Sequence, residues 1–129
     1  MAHQFVVQLA HKPGALAALC RELERQGVDL KAIGGGGIGE VGHVILKTAD
    51  DAKTRAVLEA GAYTFIESES VLAEVDDQPG GMLSVLDRLA AAGVNVYGHL
   101  FMGRWGERAT FAFVVDDPAK ARAALGQEY

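Results

Sequence analysis

The chain has 129 residues, of which 50% are hydrophobic and 22% are charged, and its formal net charge is −5. A chain of this length forms one domain or two very small ones, and each half alone would be only marginally stable because small domains bury little surface. The acidic balance, with no visible basic cluster, argues against nucleic acid or an anionic membrane as the main partner.

The single cysteine, Cys20, excludes an internal disulfide and a cysteine metal cluster, and it fits a small core residue. No signal peptide and no apolar run of membrane length is visible, so the cytoplasm is the expected location. No motif for a cofactor is found either, and none is expected.

The first half alternates predicted strands and helices. Residues 4–10 are apolar and β-rich, which predicts a strand, and the turn 11–14 follows it. Residues 15–26 carry apolar side chains at helical spacing, and Gly27 fits the position that ends such a helix. The other elements predicted for this half are strands over 28–33, 43–48 and 62–66 and a helix over 50–60 with Asp50 as its N-cap.

A glycine-rich run over residues 34–42 lies between two of these strands. Gly37, Gly39 and Gly42 have the spacing of a dinucleotide-binding motif, but that motif opens a helix and here a strand follows. We therefore interpret the run as a flexible hairpin loop.

The second half repeats the first at a constant shift. Pro13 corresponds to Pro79 and Gly27 to Gly93, each 66 residues later, and Asp50 corresponds to Asp116 at the same shift without a gap. The elements predicted for this half are strands over 71–75, 94–101 and 109–115, helices over 81–92 and 117–125, and a loop around Gly103 and Gly106. The expected domains are residues 1–69 and 70–129, with no flexible linker between them.

The order β-α-β-β-α-β in each half is the split-βαβ, ferredoxin-like pattern, so the predicted class is α+β with antiparallel sheets. The second copy reaches Tyr129 where its last strand would begin, and it is expected to lack that strand. Strand 71–75 would then be a bare edge. We expect the first copy or a second chain in a symmetric dimer to cover it.

The turn between the first strand and first helix of each copy is the candidate site. In the second copy Pro79 ends the strand, and the glycines that follow it let a ligand approach the helix N-terminus, which attracts carboxylates. The amides of Gly81 and Met82 suit a carboxylate, whereas Asp77 and the Asn95 carbonyl suit an ammonium group. We expect these groups to share one rim of the unit.

Residues 77–82 with 93–96, and more weakly 11–16 with 27–30, resemble the ACT domain, a small-molecule regulatory module of amino-acid metabolism. The resemblance covers nearly the whole chain as two tandem copies, as in stand-alone bacterial ACT proteins without a catalytic domain. The first copy departs from the pattern at His11 and Asp29, which makes the second copy the better site.

The resemblance implies a non-catalytic regulatory protein that binds an amino acid at these loops, between ACT units. It also implies a partner enzyme of amino-acid metabolism. A homodimer is expected from the bare edge and the high apolar content, and no metal site is expected from the spacing of the histidines. The ligand-binding residues that it suggests are Asp77, Gly80, Gly81, Met82 and Asn95 in the second copy and His11, Gly14, Ala15, Leu16 and Asp29 in the first.

Other functions stay open at this point. An enzyme is disfavoured because no serine has an evident histidine and acid partner and the four histidines lack metal-ligand spacing. Residues 109–114 resemble the aromatic strand of an RNA recognition motif, but strand 71–75 lacks the stacking aromatic. The remaining alternative is a ligand-free interaction or dimerisation module that acts on a partner enzyme, with the proline–glycine turns serving structure alone.

Overall fold

The computed structural model describes residues 3–127, which form seven strands and four helices. The chain divides into two compact units, and the division falls between Ser68 and Glu69. In chain order the elements are β1 His3–Ala10, α1 Ala15–Arg25, β2 Leu30–Ile38, β3 Val41–Thr48, α2 Asp51–Ala60, β4 Phe65–Glu69, β5 Val71–Asp76, α3 Gly81–Ala91, β6 Val96–Trp105, β7 Arg108–Val115 and α4 Pro118–Ala124.

The first unit is a four-stranded sheet in the order β2-β3-β1-β4. Strand β3 runs antiparallel to both β1 and β2. Alternate residues of β1 and β3 face α1 and α2, because side chains alternate across a strand and only one face is covered by the helices. The core between them consists of Phe5, Val7, Leu19, Leu23, Val28, Val44, Leu46 and Leu58.

The second unit is a three-stranded sheet in the order β5-β7-β6, packed on α3 and α4. Strand β5 is an edge of this sheet within the described residues, and Nε2 of Gln127 donates a hydrogen bond of 2.6 Å to the Leu72 carbonyl on it. The predicted α+β fold of two ferredoxin-like units is confirmed, and the second unit has three strands among the described residues. The expected start of a last strand at Tyr129 lies outside the described residues.

The glycine-rich run is not the flexible loop that its composition predicts. Residues 34–37 belong to β2 and pair with β3, and only Gly39 and Glu40 form the turn. Likewise Gly103 lies inside β6, and the second hairpin turns at Gly106 and Glu107. The weak strand propensity of glycine is overridden here by the backbone hydrogen bonds of the adjacent strand.

Three predicted strands begin too early, because the chain uses residues after each helix to close that helix. The Val28 amide bonds to the Leu23 carbonyl at 2.9 Å, and the Val94 amide bonds to the Leu89 carbonyl at the same distance. After α2, Ala62 adopts a left-handed φ of 57° to make the same kind of closure, so β4 covers Phe65–Glu69 and not 62–66. A single residue, Ser70, then separates β4 from β5.

The repeat contains one inserted residue, so the prediction of an ungapped shift is wrong. In β2 the neighbours Gly35 and Gly36 pair with two successive residues of β3. In β6 the residues that pair with two successive residues of β7 are Phe101 and Gly103, and Met102 between them is unpaired in the register. Beyond this bulge the shift is 67 residues. Accordingly, the N-caps of α2 and α4 are Asp50 and Asp117, and not Asp50 and Asp116.

A cluster of charged side chains ties β4 to α2 in the first unit. Arg55 donates hydrogen bonds of 2.6 and 2.5 Å to the two carboxylate oxygens of Glu67, and Nδ1 of His3 lies 2.7 Å from one of them. The Arg55 hydrogen bonds stabilise the ionised carboxylate and lower the pKa of Glu67 to about 2.

Candidate functional site

Each unit enters its first helix through a left-handed glycine. Gly14 has a φ of 89° and Gly80 a φ of 86°, a region that glycine adopts without steric cost. Neither glycine provides a side-chain cap, and neither α1 nor α3 carries an acidic residue in its first turn. The amides of these first turns therefore lack an intrahelical acceptor and an anionic neighbour on the helix.

The turn of the second unit needs glycine at a further position. A Cβ at Gly81 would lie 1.9 Å from the Asp76 carbonyl oxygen, so no larger residue fits without moving the backbone. The Gly81 amide donates a hydrogen bond of 3.0 Å to the Gln78 carbonyl inside the turn. The Gly81 amide is therefore already bonded. The next amide of the first turn belongs to Met82, and it is the first that can donate to a carboxylate.

An ion pair stands beside this turn. Nε of Arg104 donates a hydrogen bond of 2.6 Å to the Asp77 carboxylate, and the guanidinium lies 5.3 Å from the centre of the Phe101 ring. The Asp77 amide in turn donates to the Glu107 carbonyl at 2.7 Å. The pair lies at an open cavity of about 440 Å³ that Pro79, Met82 and Phe111 also line.

The sequence did not identify Arg104 as a site residue. The predicted strand stopped at residue 101 and the following residues were assigned to a loop. The prediction lacked the bulge that carries β6 on past residue 101. Beyond this bulge Arg104 pairs with Ala109 of β7, and Ala109 pairs on its other side with Val75, so Arg104 lies near the end of β5.

Asn95 and Asp29 do not lie with the turns, so the expected common rim is wrong. The end of β5 pairs with the start of β7 (Asp76 with Arg108), whereas the start of β6 pairs with the end of β7 (Val96 with Val115). Helix α3 carries the chain back along the sheet, so Asn95 lies at the end of the sheet opposite the Asp77 turn. There its backbone N–H donates a hydrogen bond of 3.0 Å to the Asp116 carboxylate. The register separates Asp29 from the first turn in the same way.

The first unit has a cavity at the position that corresponds to the Asp77 turn. It measures about 410 Å³, and its lining includes His11, whose Nδ1 lies 3.0 Å from the Gly39 carbonyl oxygen. Of the five residues predicted for this copy, the structure brings together His11, Ala15 and Leu16 in its lining. The complete lining is Leu9, Ala10, His11, Lys12, Ala15, Leu16, Ile33, Gly34, Gly35, Gly36, Gly37, Gly42, His43 and Val44.

Two further properties concern residues 3–127 as a whole. Within them, no three side chains of histidine, cysteine, aspartate or glutamate are grouped so that they could hold a metal ion. None of the helices in this range has the length and apolar character needed to cross a membrane.

No protein-family model and no curated protein matches the sequence. Among solved structures, protein BT0572 from Bacteroides thetaiotaomicron is similar over 97% of this chain and 86% of its own, with a TM-score of 0.73 and 20% identity.

The regulatory subunit of aspartate kinase from Thermus thermophilus matches 97% of this chain and 89% of its own, with a TM-score of 0.66 and 16% identity. The corresponding subunit from Thermus flavus matches 98% and 92%, with a TM-score of 0.68 and 15% identity. At these identities the similarity concerns the fold. The chain therefore has the tandem ACT fold that its two strand–helix turns predict.

Proposed function

We propose that this chain is a non-catalytic regulatory protein that binds an amino acid at the turn between β5 and α3. The observation that carries this proposal is the Asp77–Arg104 pair at the N-terminus of α3. An amino acid has an anionic and a cationic end, and this turn offers a partner for each. Asp77 accepts from the ammonium group, while Arg104 and the Met82 amide donate to the carboxylate.

The pair is accessible to a ligand. The side chains of Asp77 and Arg104 are 46% and 55% exposed, and an ion pair exposed to this degree contributes little stability of its own. An amino acid that enters between the two side chains replaces one charge pair by two. At Gly80 a Cβ would meet no heavy atom within 4 Å, so the backbone of the turn is open to this approach at that residue.

A regulatory role agrees with the fold, which the chain shares with the regulatory subunits of aspartate kinase from two Thermus species. We extend the proposal to a partner enzyme of amino-acid metabolism and to a homodimer of chains that each carry ACT domains over residues 1–69 and 70–129.

A thermal-shift screen of the common amino acids, followed by calorimetry, tests the proposal. A ligand that binds only the folded state raises its stability by RT ln(1 + [L]/Kd), so a true ligand gives a concentration-dependent shift. Asp77→Asn should abolish the shift, whereas Asp87→Asn, an exposed aspartate on α3, should not. The proposal is wrong if no amino acid shifts the transition at millimolar concentration, or if Asp77→Asn binds as tightly as the wild type.

A second candidate function is a ligand-free interaction module, and one observation favours it. Ile38 and Trp105 occupy matching positions at the two hairpin tips, and both are 90% exposed. Large apolar side chains that remain in water mark surfaces that contact other proteins. If this function is the correct one, Trp105→Ala should reduce capture of a partner enzyme, and no amino acid should shift the thermal transition of the wild type.

A further inference from the structure

We propose that the first unit binds an arginine side chain of a partner protein in a groove between its two helices. The groove, which we call the α1–α2 groove, measures about 410 Å³. Glu22 of α1, Ala60 at the end of α2 and Tyr63 after it are among the residues that line it. None of the residues of the strand–helix turns does, so the proposal does not depend on the amino-acid site at the Asp77 turn.

The second unit shows which group fits at this position of the fold. Nε of Arg88 on α3 donates a hydrogen bond of 3.0 Å to the carbonyl of Ala124, the last residue of α4. The last carbonyls of a helix have no partner within the helix, and they carry a partial negative charge. A guanidinium from the first helix therefore satisfies the C-terminus of the second helix in that unit.

The first unit has a glutamate where the second has this arginine. Glu22 directly precedes Leu23, and Arg88 directly precedes Leu89. Each of the two leucine carbonyls accepts the backbone bond of 2.9 Å that closes its helix, so α1 and α3 correspond residue by residue at this point. Because a carboxylate cannot donate to a carbonyl, Glu22 cannot do for α2 what Arg88 does for α4.

The carbonyl left open in the first unit is that of Ala60. The amide of Tyr63, three residues after Ala60, bonds to the carbonyl of Leu58, two residues before it, and the same bond with the same spacing surrounds Ala124. Closing bonds also occupy the carbonyls of residues 57 and 59. Among residues 3–127 no donor is bonded to the Ala60 carbonyl, which is therefore free to accept from a bound guanidinium.

The charges at this end of α2 favour a cation. Within residues 3–127, α2 is the one helix without a basic residue in its last turn, and it carries Glu59 there instead. Glu22 adds a second carboxylate. Its own ion pair with Arg25 is exposed, at 48% and 63% of the two side chains, and such a pair is exchanged for another at little cost.

Lys53 also lines the α1–α2 groove, but at its other end. Its Nζ donates to the Gln26 carbonyl at 3.4 Å, so this cation serves the C-terminus of α1. From Lys53 to Ala60 the helix advances by seven residues, which is roughly 10 Å. The negative end of α2 therefore has no cation of its own in the groove.

The groove favours arginine over lysine. A Cβ at Gly61 would lie 2.6 Å from the Tyr63 ring, so this ring lies against the end of α2. A guanidinium can stack on an aromatic ring while its fork of N–H groups bonds to a carboxylate and a carbonyl, and an ammonium group lacks that geometry. The occupant in the second unit is itself an arginine on a helix, which is the form in which a partner helix would present one.

Calorimetry on the full chain with N-acetyl-arginine amide tests the proposal, because this compound is an arginine residue without a free amino or carboxyl group. It should bind, and N-acetyl-citrulline amide, which has the same shape without the charge, should bind at least about tenfold more weakly. N-acetyl-lysine amide should also bind more weakly. Equal affinity for the arginine and citrulline compounds, or no binding of the arginine compound at millimolar concentration, would overturn the proposal.

Variants locate the binding. Glu22→Gln should weaken N-acetyl-arginine amide about tenfold, whereas Glu24→Gln, on the same helix but outside the lining, should not. Glu22→Arg should abolish binding, because it fills the groove as Arg88 does in the second unit. Asp77→Asn should bind as the wild type does. Unchanged binding by Glu22→Gln, or loss of binding in Asp77→Asn, would contradict the assignment to the α1–α2 groove.

Removal of the natural occupant from the second unit provides a reciprocal test. Arg88→Ala leaves the Ala124 carbonyl without its donor, so N-acetyl-arginine amide should raise the thermal transition of this variant more than that of the wild type. An equal rise would contradict the use of Arg88 as the precedent. The protein source is tested with n-propylguanidinium, which is the side chain alone and should bind no more tightly than the arginine residue. Tighter binding would overturn the assignment to a partner protein in favour of a small guanidine compound.

Discussion

Arg104, near the end of β6, donates a hydrogen bond of 2.6 Å to Asp77, the residue that directly follows β5. We predict that Arg104→Gln weakens the amino-acid ligand by about 1.5–3 kcal/mol, the usual cost of a lost hydrogen bond to a charged group. The stability of the unliganded protein should fall by no more than about 1 kcal/mol, because the pair is exposed. Calorimetry and urea unfolding measure the two effects, with Arg21→Gln as the control, and unchanged affinity would remove Arg104 from the site.

Asn95 provides a test of the position of the ligand. Because the register puts Asn95 roughly 25–30 Å along the sheet from the Asp77 turn, Asn95→Ala should leave affinity within about twofold of the wild type. Calorimetry under the same conditions as for Asp77→Asn is the measurement. A loss as large as that of Asp77→Asn would contradict a site within one unit and would indicate that a second copy of the chain supplies Asn95.

The N-caps of α2 and α4 are equivalent, and their effects should be too. The side chain of Asp50 accepts from the Lys53 amide at 2.9 Å, and that of Asp117 accepts from the Lys120 amide at 3.0 Å. Replacement of either aspartate by alanine should cost about 1 kcal/mol in free energy of unfolding, and replacement by asparagine much less, because asparagine keeps the acceptor oxygen. Chemical denaturation of the four variants measures the free energy of unfolding. Equal losses for the alanine and asparagine variants would argue against a capping role.

Glu67 should contribute to the pH dependence of stability. Its pKa is lowered from 4.5 to about 2 by the Arg55 hydrogen bonds, so the unfolded chain binds this proton more readily than the folded one. The contribution is present above the ordinary pKa and is lost as the pH falls from about 4.5 towards 2. Unfolding of wild type and Glu67→Gln across this window should show a smaller decline in the variant, and parallel curves would exclude the effect.

The edge strand β5 predicts assembly. Leu72 is 50% exposed on a strand that has one neighbour among the described residues, and such edges are commonly covered by another strand. If a second chain covers the edge, Leu72→Lys should shift the protein from dimer to monomer in light scattering. Glu74→Lys, on the same face and already polar, serves as the comparison. A wild-type protein that is monomeric at all concentrations would exclude the dimer.

Local signals were enough to predict the helices and the repeat, whereas features that depend on a strand partner were not. The prolines before each helix, Pro13 and Pro79, and the helical spacing of the leucines are signals within a few neighbouring residues. These signals located α1 and α3 correctly. The strand conformation of Gly34 depends on Ile45, its partner across the hairpin. Because no local pattern reveals that pairing, the sequence also missed Arg104. Asn95 was misplaced for another reason: β5 and β6 are parallel, so the start of β6 lies at the end of the sheet opposite the turn after β5.

The bulge at Met102 limits how the two halves of the chain can be exchanged. Segments before it correspond at a shift of 66 residues and segments after it at 67. A chimaera that transplants the β2–β3 hairpin onto the second unit at one constant shift would therefore misalign one side by a single position. Since side chains alternate along a strand, that error would turn every residue between the junction and the turn to the wrong face of the sheet. A working exchange has to include the bulge as a whole or delete Met102.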